Sequence, residues 1–182
     1  MISYSDKELL DICRDRESGN YGFNLLVRKY QRKVYMQIRR MVVSHEDTDD
    51  LVQETFIKVW KHLDGFRGDS RLDTWIYRIA ANESISFLKS RKRMSFFSFS
   101  DHDSMLARAI DDKGSFSGNE IQAKLQKAIL KLPPRQRQVF TMKYFDEMKY
   151  EELSDILETS VGALKASYHN AVKKIREILM ND

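Results

Sequence analysis

The stretch LPPRQRQVFTMKYFDEMKYEELSDILETSVGALKASYHNAVKKIREIL, Leu132 to Leu179, decides the fold. Pro134 suits the first turn of a helix, where a missing N–H costs nothing, and that helix is expected to reach Phe145. Tyr150 to Leu157 reads as a short helix with Leu153 and Ile156 turned inward. Glu158, Thr159 and Ser160 make a tight connection, and Ser160 is placed to cap the next helix. Val161, Leu164, Tyr168, Ala171, Val172, Ile175, Ile178 and Leu179 then recur at helical spacing, forming the apolar stripe of a long helix. A short helix, a three-residue turn and a long helix are the parts of a helix-turn-helix.

The stripe leaves Gly162, Ala163, Lys165, Ala166, His169, Asn170, Lys173 and Lys174 facing outward. Small residues near the start of such a helix let it approach base edges, and the cations further along reach phosphates. A solvated basic face on an ordinary bundle gives the same pattern, so the face favours DNA without deciding it.

Upstream, Ile121 to Leu132 supplies another helix, so residues 120–182 are expected to form one small helical domain. Residues 95–119 lose the periodicity and are rich in Ser, Asp and Gly, as a flexible linker would be. Phe96, Phe97, Phe99, Met105, Leu106 and Ile110 leave two readings open, a loose connector or a segment that docks on a partner. Residues 1–94 return to helical periodicity. A short helix capped by Ser5 or Asp6 runs to Arg14, and a second runs from Asn20 to Val42 with Phe23, Leu26, Val27, Tyr30, Val34 and Ile38 inward. A third spans Thr48 to Leu63, with Leu51, Val52, Thr55, Phe56, Val59 and Leu63 inward. A fourth is opened by a Ser70–Asp73 capping box, with Leu72, Trp75, Ile76 and Ile79 as its stripe. The fold class is therefore all-α, in two small helical domains.

Bulk properties narrow the function. The 182-residue chain has only two prolines and seven glycines, which permits long helices. A formal net charge of +4 allows a polyanionic partner without requiring one. The single cysteine, Cys13, excludes an internal disulfide and fits a reducing compartment. No apolar run is long enough for a membrane span and the N-terminus does not resemble a signal peptide, so a cytoplasmic location is expected. His45, His62, His102 and His169 are scattered without metal-ligand spacing, and no phosphate-binding or dinucleotide loop occurs. Neither a metal, a cofactor nor an enzymatic activity is expected.

Two N-terminal surfaces carry the remaining signal. The third helix begins among Glu46, Asp47, Asp49 and Asp50 and then exposes Gln53, Glu54 and Trp60. First-turn acids favour the helix dipole, and the same acceptors suit a basic partner helix; both readings stand. In FRGDSRLDTWIYRIAAN, Phe66 to Asn82, Trp75 borders the apolar stripe, Arg78, Asn82 and Lys89 follow its flank, and Tyr77 points to the other side. Aromatic platforms beside a cationic groove hold single-stranded DNA, although either aromatic taken alone could equally be core.

Taken together, Asp49 to Asn82 resembles region two, and Leu132 to Leu179 resembles region four, of bacterial RNA polymerase sigma factors of the extracytoplasmic-function group in the sigma-70 family. The resemblance implies core RNA polymerase, through its largest-subunit clamp helices and its flap region, and promoter DNA as partners, with an anti-sigma protein as a usual third. By position, Asp49, Asp50, Gln53 and Glu54 would grip the clamp helices. The loop Gly65 to Ser70, with Phe66, Arg67 and Asp69, would capture a flipped base of the −10 element, with Asn82 near that pocket. Trp75 and Tyr77 would lie where strands open, and Arg78, Lys89, Arg91, Lys92 and Arg93 would follow the backbone. Lys165, Ala166, His169 and Asn170 would face the −35 element, with Ser160 and Lys173 beside them and Lys143 at a phosphate. The family often has Thr, Ser and two Arg at the positions of Ala163, Ala166, Ser167 and Asn170. This helix is poorer in donors, and a given −35 sequence does not transfer to it. A stand-alone helix-turn-helix regulator would explain the C-terminal half but not the N-terminal surfaces, and a helical adaptor would leave the basic faces without purpose.

Overall fold

The computed structural model describes residues 4–96 and 120–181, and the side chains of all of these but 92–96 and 120. Among the described residues every regular element is helical. Four helices form the N-terminal half: α1 (Asp6–Arg14), α2 (Gly19–Val42), α3 (His45–His62) and α4 (Leu72–Phe96). A single 3-10 turn, Leu63–Gly65, comes directly after α3. The C-terminal half contains α5 (Glu120–Leu130), α6 (Pro134–Tyr144), α7 (Tyr150–Leu157) and α8 (Val161–Met180).

Local chemistry sets most boundaries. Ser5 and Glu8 form a reciprocal capping box at α1, and Ser44 and Ser160 accept the Asp47 and Ala163 N–H groups at the starts of α3 and α8. Glu158 closes α7 in the left-handed conformation, φ 50°, and thereby makes the sharp corner before α8. The start of α4 differs from expectation. The Asp73 carboxylate bonds the Thr74 N–H and the Arg71 guanidinium, where a Ser70 cap was expected. At its other end α4 continues through the basic cluster to Phe96, because Lys, Arg, Ser and Met extend a helix without needing an apolar stripe. The rest of the expected linker, with Phe97, Phe99, Met105, Leu106 and Ile110, lies outside the described residues.

Leu26, Val34 and Ile38 of α2, Val59 of α3 and Ile76 and Ala80 of α4 are fully buried. Complete burial of each large aliphatic chain contributes about 1.5–3 kcal/mol. The same core receives Val139 and Met142 from α6, Leu153, Ile156 and Leu157 from α7, and Leu164 from α8. The halves are thus packed against each other, with α6 and α7 lying on α2 and α4. A smaller core of Ala128, Ile129, Leu132, Phe140, Ala171 and Ile175 belongs to the C-terminal half alone.

Polar groups stitch the contact. Arg137 donates to the Met41 carbonyl at 2.8 Å and to carbonyls at the end of α5. Burial pulls its pKa down to about 10, so it remains cationic at neutral pH. Gln138, 1% exposed, donates to the Ala81 carbonyl at 3.0 Å. Arg40 pairs with Asp146 and lies over the Phe145 ring.

Candidate functional site

The acidic helix divides its acids between two tasks. Glu46 and Asp47 occupy the first turn of α3, and Asp47 is tied to Arg91 of α4 at 2.8 Å. Asp49, Asp50, Gln53 and Glu54 are exposed on the solvent side of α3. Next to them runs an open groove lined by Phe23 and Val27 of α2 and by Val52, Phe56, Ile57 and Trp60 of α3. Trp60 is 44% exposed, with its ring edge-on to Phe23 at 4.7 Å. Carboxylates bordering an apolar trough suit an amphipathic, basic helix.

The loop after α3 is fixed at its root and open at its tip. The Phe66 N–H bonds the Leu63 carbonyl, and the Phe66 carbonyl accepts from Arg14 at 2.6 Å. The Phe66 side chain is only 8% exposed and rests on Trp75, with centroids 5.0 Å apart. Arg67, Gly68 and Asp69 are exposed, and Gly68 adopts φ 82°, which favours glycine. Phe66 was expected to meet DNA; here its ring completes the core beneath the loop, because Trp75 offers it an apolar seat.

On α4, Asn82 and Lys89 are exposed and Trp75 is half-buried. Tyr77 differs from the strand-opening expectation. It is 7% exposed, edge-on to Tyr30 of α2, and burial pushes its phenol up to about 12. The flank opposite the main stripe meets α2, so it is interior too. Arg78 is already engaged: it donates to the Asp155 carbonyl at 2.6 Å and pairs with Glu158 at 2.9 Å, both from the α7 corner. The side chains of Lys92 and Arg93, expected along the DNA backbone, lie outside the described ones.

The outer face of α8 matches its sequence reading throughout. Gly162, Ala163, Lys165, Ala166, His169, Asn170, Lys173 and Lys174 are turned to the outside, and all of them are exposed. Ser160 is occupied in capping the helix. Lys165 passes over the Tyr150 ring at 5.6 Å, which stiffens its stem while leaving the residue exposed. Lys143 instead donates to the Met148 carbonyl at 2.9 Å and lies over the same ring, closing the turn between α6 and α7.

A second apolar groove escaped the sequence reading. Phe140 and Tyr144 of α6 and Tyr168, Val172, Leu179 and Met180 of α8 line it. Leu179, expected inside, is 39% exposed, and Met180 is 78% exposed. The stripe of α8 outruns the helices available to cover it, and an apolar residue past the last covered turn was the signal. Among the described residues no cluster of His, Cys, Asp and Glu could hold a metal ion, and no helix is long and apolar enough to cross a membrane.

Residues 26–94 match the Sigma-70 region 2 family and residues 122–175 match the Sigma-70 region 4 family. The chain is 31% identical to the RNA polymerase sigma-H factor of Pseudomonas aeruginosa, over 96% of this chain and 93% of that protein. It is 33% identical to the ECF RNA polymerase sigma-E factor of Escherichia coli K12, over 89% of this chain and 88% of that one. Among solved structures its fold resembles CnrH in complex with the cytosolic domain of CnrY, with a TM-score of 0.66, 22% identity and coverage of 97% and 98% of the two chains. It also resembles RpoE of Bartonella quintana in complex with the anti-sigma factor NepR, with a TM-score of 0.63, 22% identity and coverage of 88% and 98%.

Proposed function

This chain belongs to the sigma-70 family, in its extracytoplasmic-function group, and from that premise we propose how its surfaces divide the work of initiation. As a sigma factor it binds core RNA polymerase and directs promoter-specific transcription initiation. Asp49, Asp50, Gln53 and Glu54, with the groove ending at Trp60, receive the clamp helices of the largest polymerase subunit. The exposed loop tip at Arg67 and Asp69, with Asn82, holds a flipped base of the −10 element, while Trp75 supports the loop from below. Lys165, Ala166, His169, Asn170 and Lys173 face the −35 duplex. The groove at Tyr144, Leu179 and Met180 takes the flap region. Chain synthesis stays with core, so this protein carries no catalysis, and the work takes place in the cytoplasm. The solved relatives bound to CnrY and NepR support an anti-sigma polypeptide as a further partner.

The observation that carries this reading is a pair of open faces of opposite character on different halves, carboxylates on α3 and lysines on α8. A stand-alone regulator needs only the second. The packing of the halves adds a requirement. The −35 and −10 elements lie roughly 25 base pairs apart, about 85 Å at 3.4 Å per pair. A folded chain of this length has a radius of gyration of about 16 Å. The halves must therefore part on core before both elements are read, and Arg78 must leave Glu158 to follow the DNA backbone.

A promoter gel shift with and without core polymerase tests the reading. The free chain should bind weakly and the holoenzyme tightly. Asp50→Arg with Gln53→Arg should weaken association with core by about a hundredfold, as charge reversal at a docking centre does. Tight promoter binding by the free chain, or unchanged co-purification of the double variant with core, would sink it.

A further inference from the structure

We propose that α1, acting through Arg14, is a positioning element for the loop that selects the −10 base. The inference rests on the reading of Gly65 to Ser70 as that loop. Helix α1 lies wholly outside the residues that match the region 2 family, which begin at 26. It is nonetheless built into the fold with little freedom. A Cβ at Gly22 would stand 2.7 Å from the Cys13 backbone nitrogen, and one at Gly19 would stand 2.9 Å from the Cys13 carbonyl oxygen. Only glycine permits α1 to press its last turn onto α2 so closely. Leu9 and Cys13 are buried beneath it, and Asp6 is held by Lys29 at 2.7 Å and by the Tyr30 hydroxyl.

That seating aims Arg14, in the last turn of α1, across the molecule to the loop. Its Nη2 donates to the Phe66 carbonyl at 2.6 Å, a contact spanning 52 residues of sequence. Phe66 is thereby fixed three ways: its N–H on Leu63, its ring on Trp75, and its carbonyl on Arg14. The first two belong to the loop's own half-turn and to α4; the third comes from α1 alone. The peptide whose carbonyl Arg14 holds joins Phe66 to Arg67, so its orientation sets where the exposed tip starts. Without that hydrogen bond the peptide plane is free to rotate, and Arg67 and Asp69 sample several directions instead of one. A base pocket made of exposed loop residues depends on such support for its selectivity, not for its existence.

The test uses holoenzyme assembled from core polymerase and the full chain. The probe is a pool of fork-junction promoter fragments randomised across the −10 element. Bound fragments are sequenced, and the preference at each position is compared with that of the unaltered chain. Arg14→Ala should flatten the preference at the captured base by about tenfold, the lower end of what losing a hydrogen bond from a charged donor costs. Core affinity and circular dichroism should stay unchanged. Arg14→Lys, which keeps one charged donor of nearly the same reach, should recover part of the preference. Arg67→Ala and Asp69→Ala serve as references within the loop. If they flatten the preference and Arg14→Ala does not, the role of α1 is overturned while the loop reading stands. If neither loop variant alters it, the loop reading itself has failed and the inference falls with it. If Arg14→Ala lowers preference and core affinity together and Arg14→Lys recovers neither, Arg14 is structural only and the inference is overturned.

Discussion

The two helices proposed to meet DNA, α4 and α8, hold their polar faces in opposite states. The outer face of α8 is open from Gly162 to Lys174. On α4, Arg78 is tied to the α7 corner, the Ala81 carbonyl accepts from Gln138, and Asn82 and Lys89 stay exposed. The difference comes from packing, since α8 buries one stripe whereas α4 meets α2 and α3 of its own half and also α6 and α7 of the C-terminal half. A duplex-reading face can thus be ready before any partner arrives, while the strand-holding face is partly covered by the chain's own C-terminal half. Removing the cover should make the two helices alike.

Arg137 is where that contrast breaks with the largest effect. Its guanidinium spans the contact, serving the Met41 carbonyl in one half and the Leu130 and Leu132 carbonyls in the other. Arg137→Ala should cost about 2–3 kcal/mol, because charged hydrogen bonds are lost and buried carbonyls are left short. Urea denaturation should then resolve two transitions where the unaltered chain gives one, as the halves uncouple. A single transition at an unchanged midpoint would mean that the contact does not hold the halves together.

Asn82 sharpens the contrast from the other side, as an exposed polar group on the covered helix. Asn82→Ala should reduce permanganate reactivity across the −10 region by about tenfold, roughly 1.4 kcal/mol, with core binding intact. Phe66→Ala is a poorer probe. Its ring lies in the core against Trp75, and truncation should cost about 3–5 kcal/mol of stability before DNA is involved. Wild-type reactivity in the Asn82 variant would remove that residue from the base pocket.

Legibility in the sequence divides along the same line. Periodicity located every described helix, and it placed the whole outer face of α8 correctly, because exposure there depends on one helix and one stripe. The solvent-facing acids of α3 were legible for the same reason. Phe66, Tyr77, Lys143 and Arg78 were not, because their surroundings come from segments distant in sequence or from a turn that no stripe describes. Trp75 seats Phe66, Tyr30 meets Tyr77, Met148 receives Lys143, and the α7 corner engages Arg78. No spacing rule within one helix reports such partners.

The smallest expected effect isolates the ion pair that distinguishes α4 from α8. Glu158 is 67% exposed at its side chain and Arg78 29%, so water and salt screen the pair heavily. Exposed pairs contribute about 0–1 kcal/mol, and Glu158→Gln should lower stability by less than about 0.5 kcal/mol. The functional consequence is larger in proportion. With its carboxylate partner gone, Arg78 keeps only the Asp155 carbonyl and can turn toward a phosphate at little cost. Fluorescence anisotropy with single-stranded DNA should then report about a twofold gain in affinity for the free chain, with a steeper salt dependence as one more phosphate contact forms. Lys173→Ala on α8 should instead lower that affinity slightly and flatten its salt dependence, since its face is already open and loses one phosphate contact. Equal responses from both variants would mean that Glu158 does not restrain Arg78, and that the two helices differ in shape but not in availability.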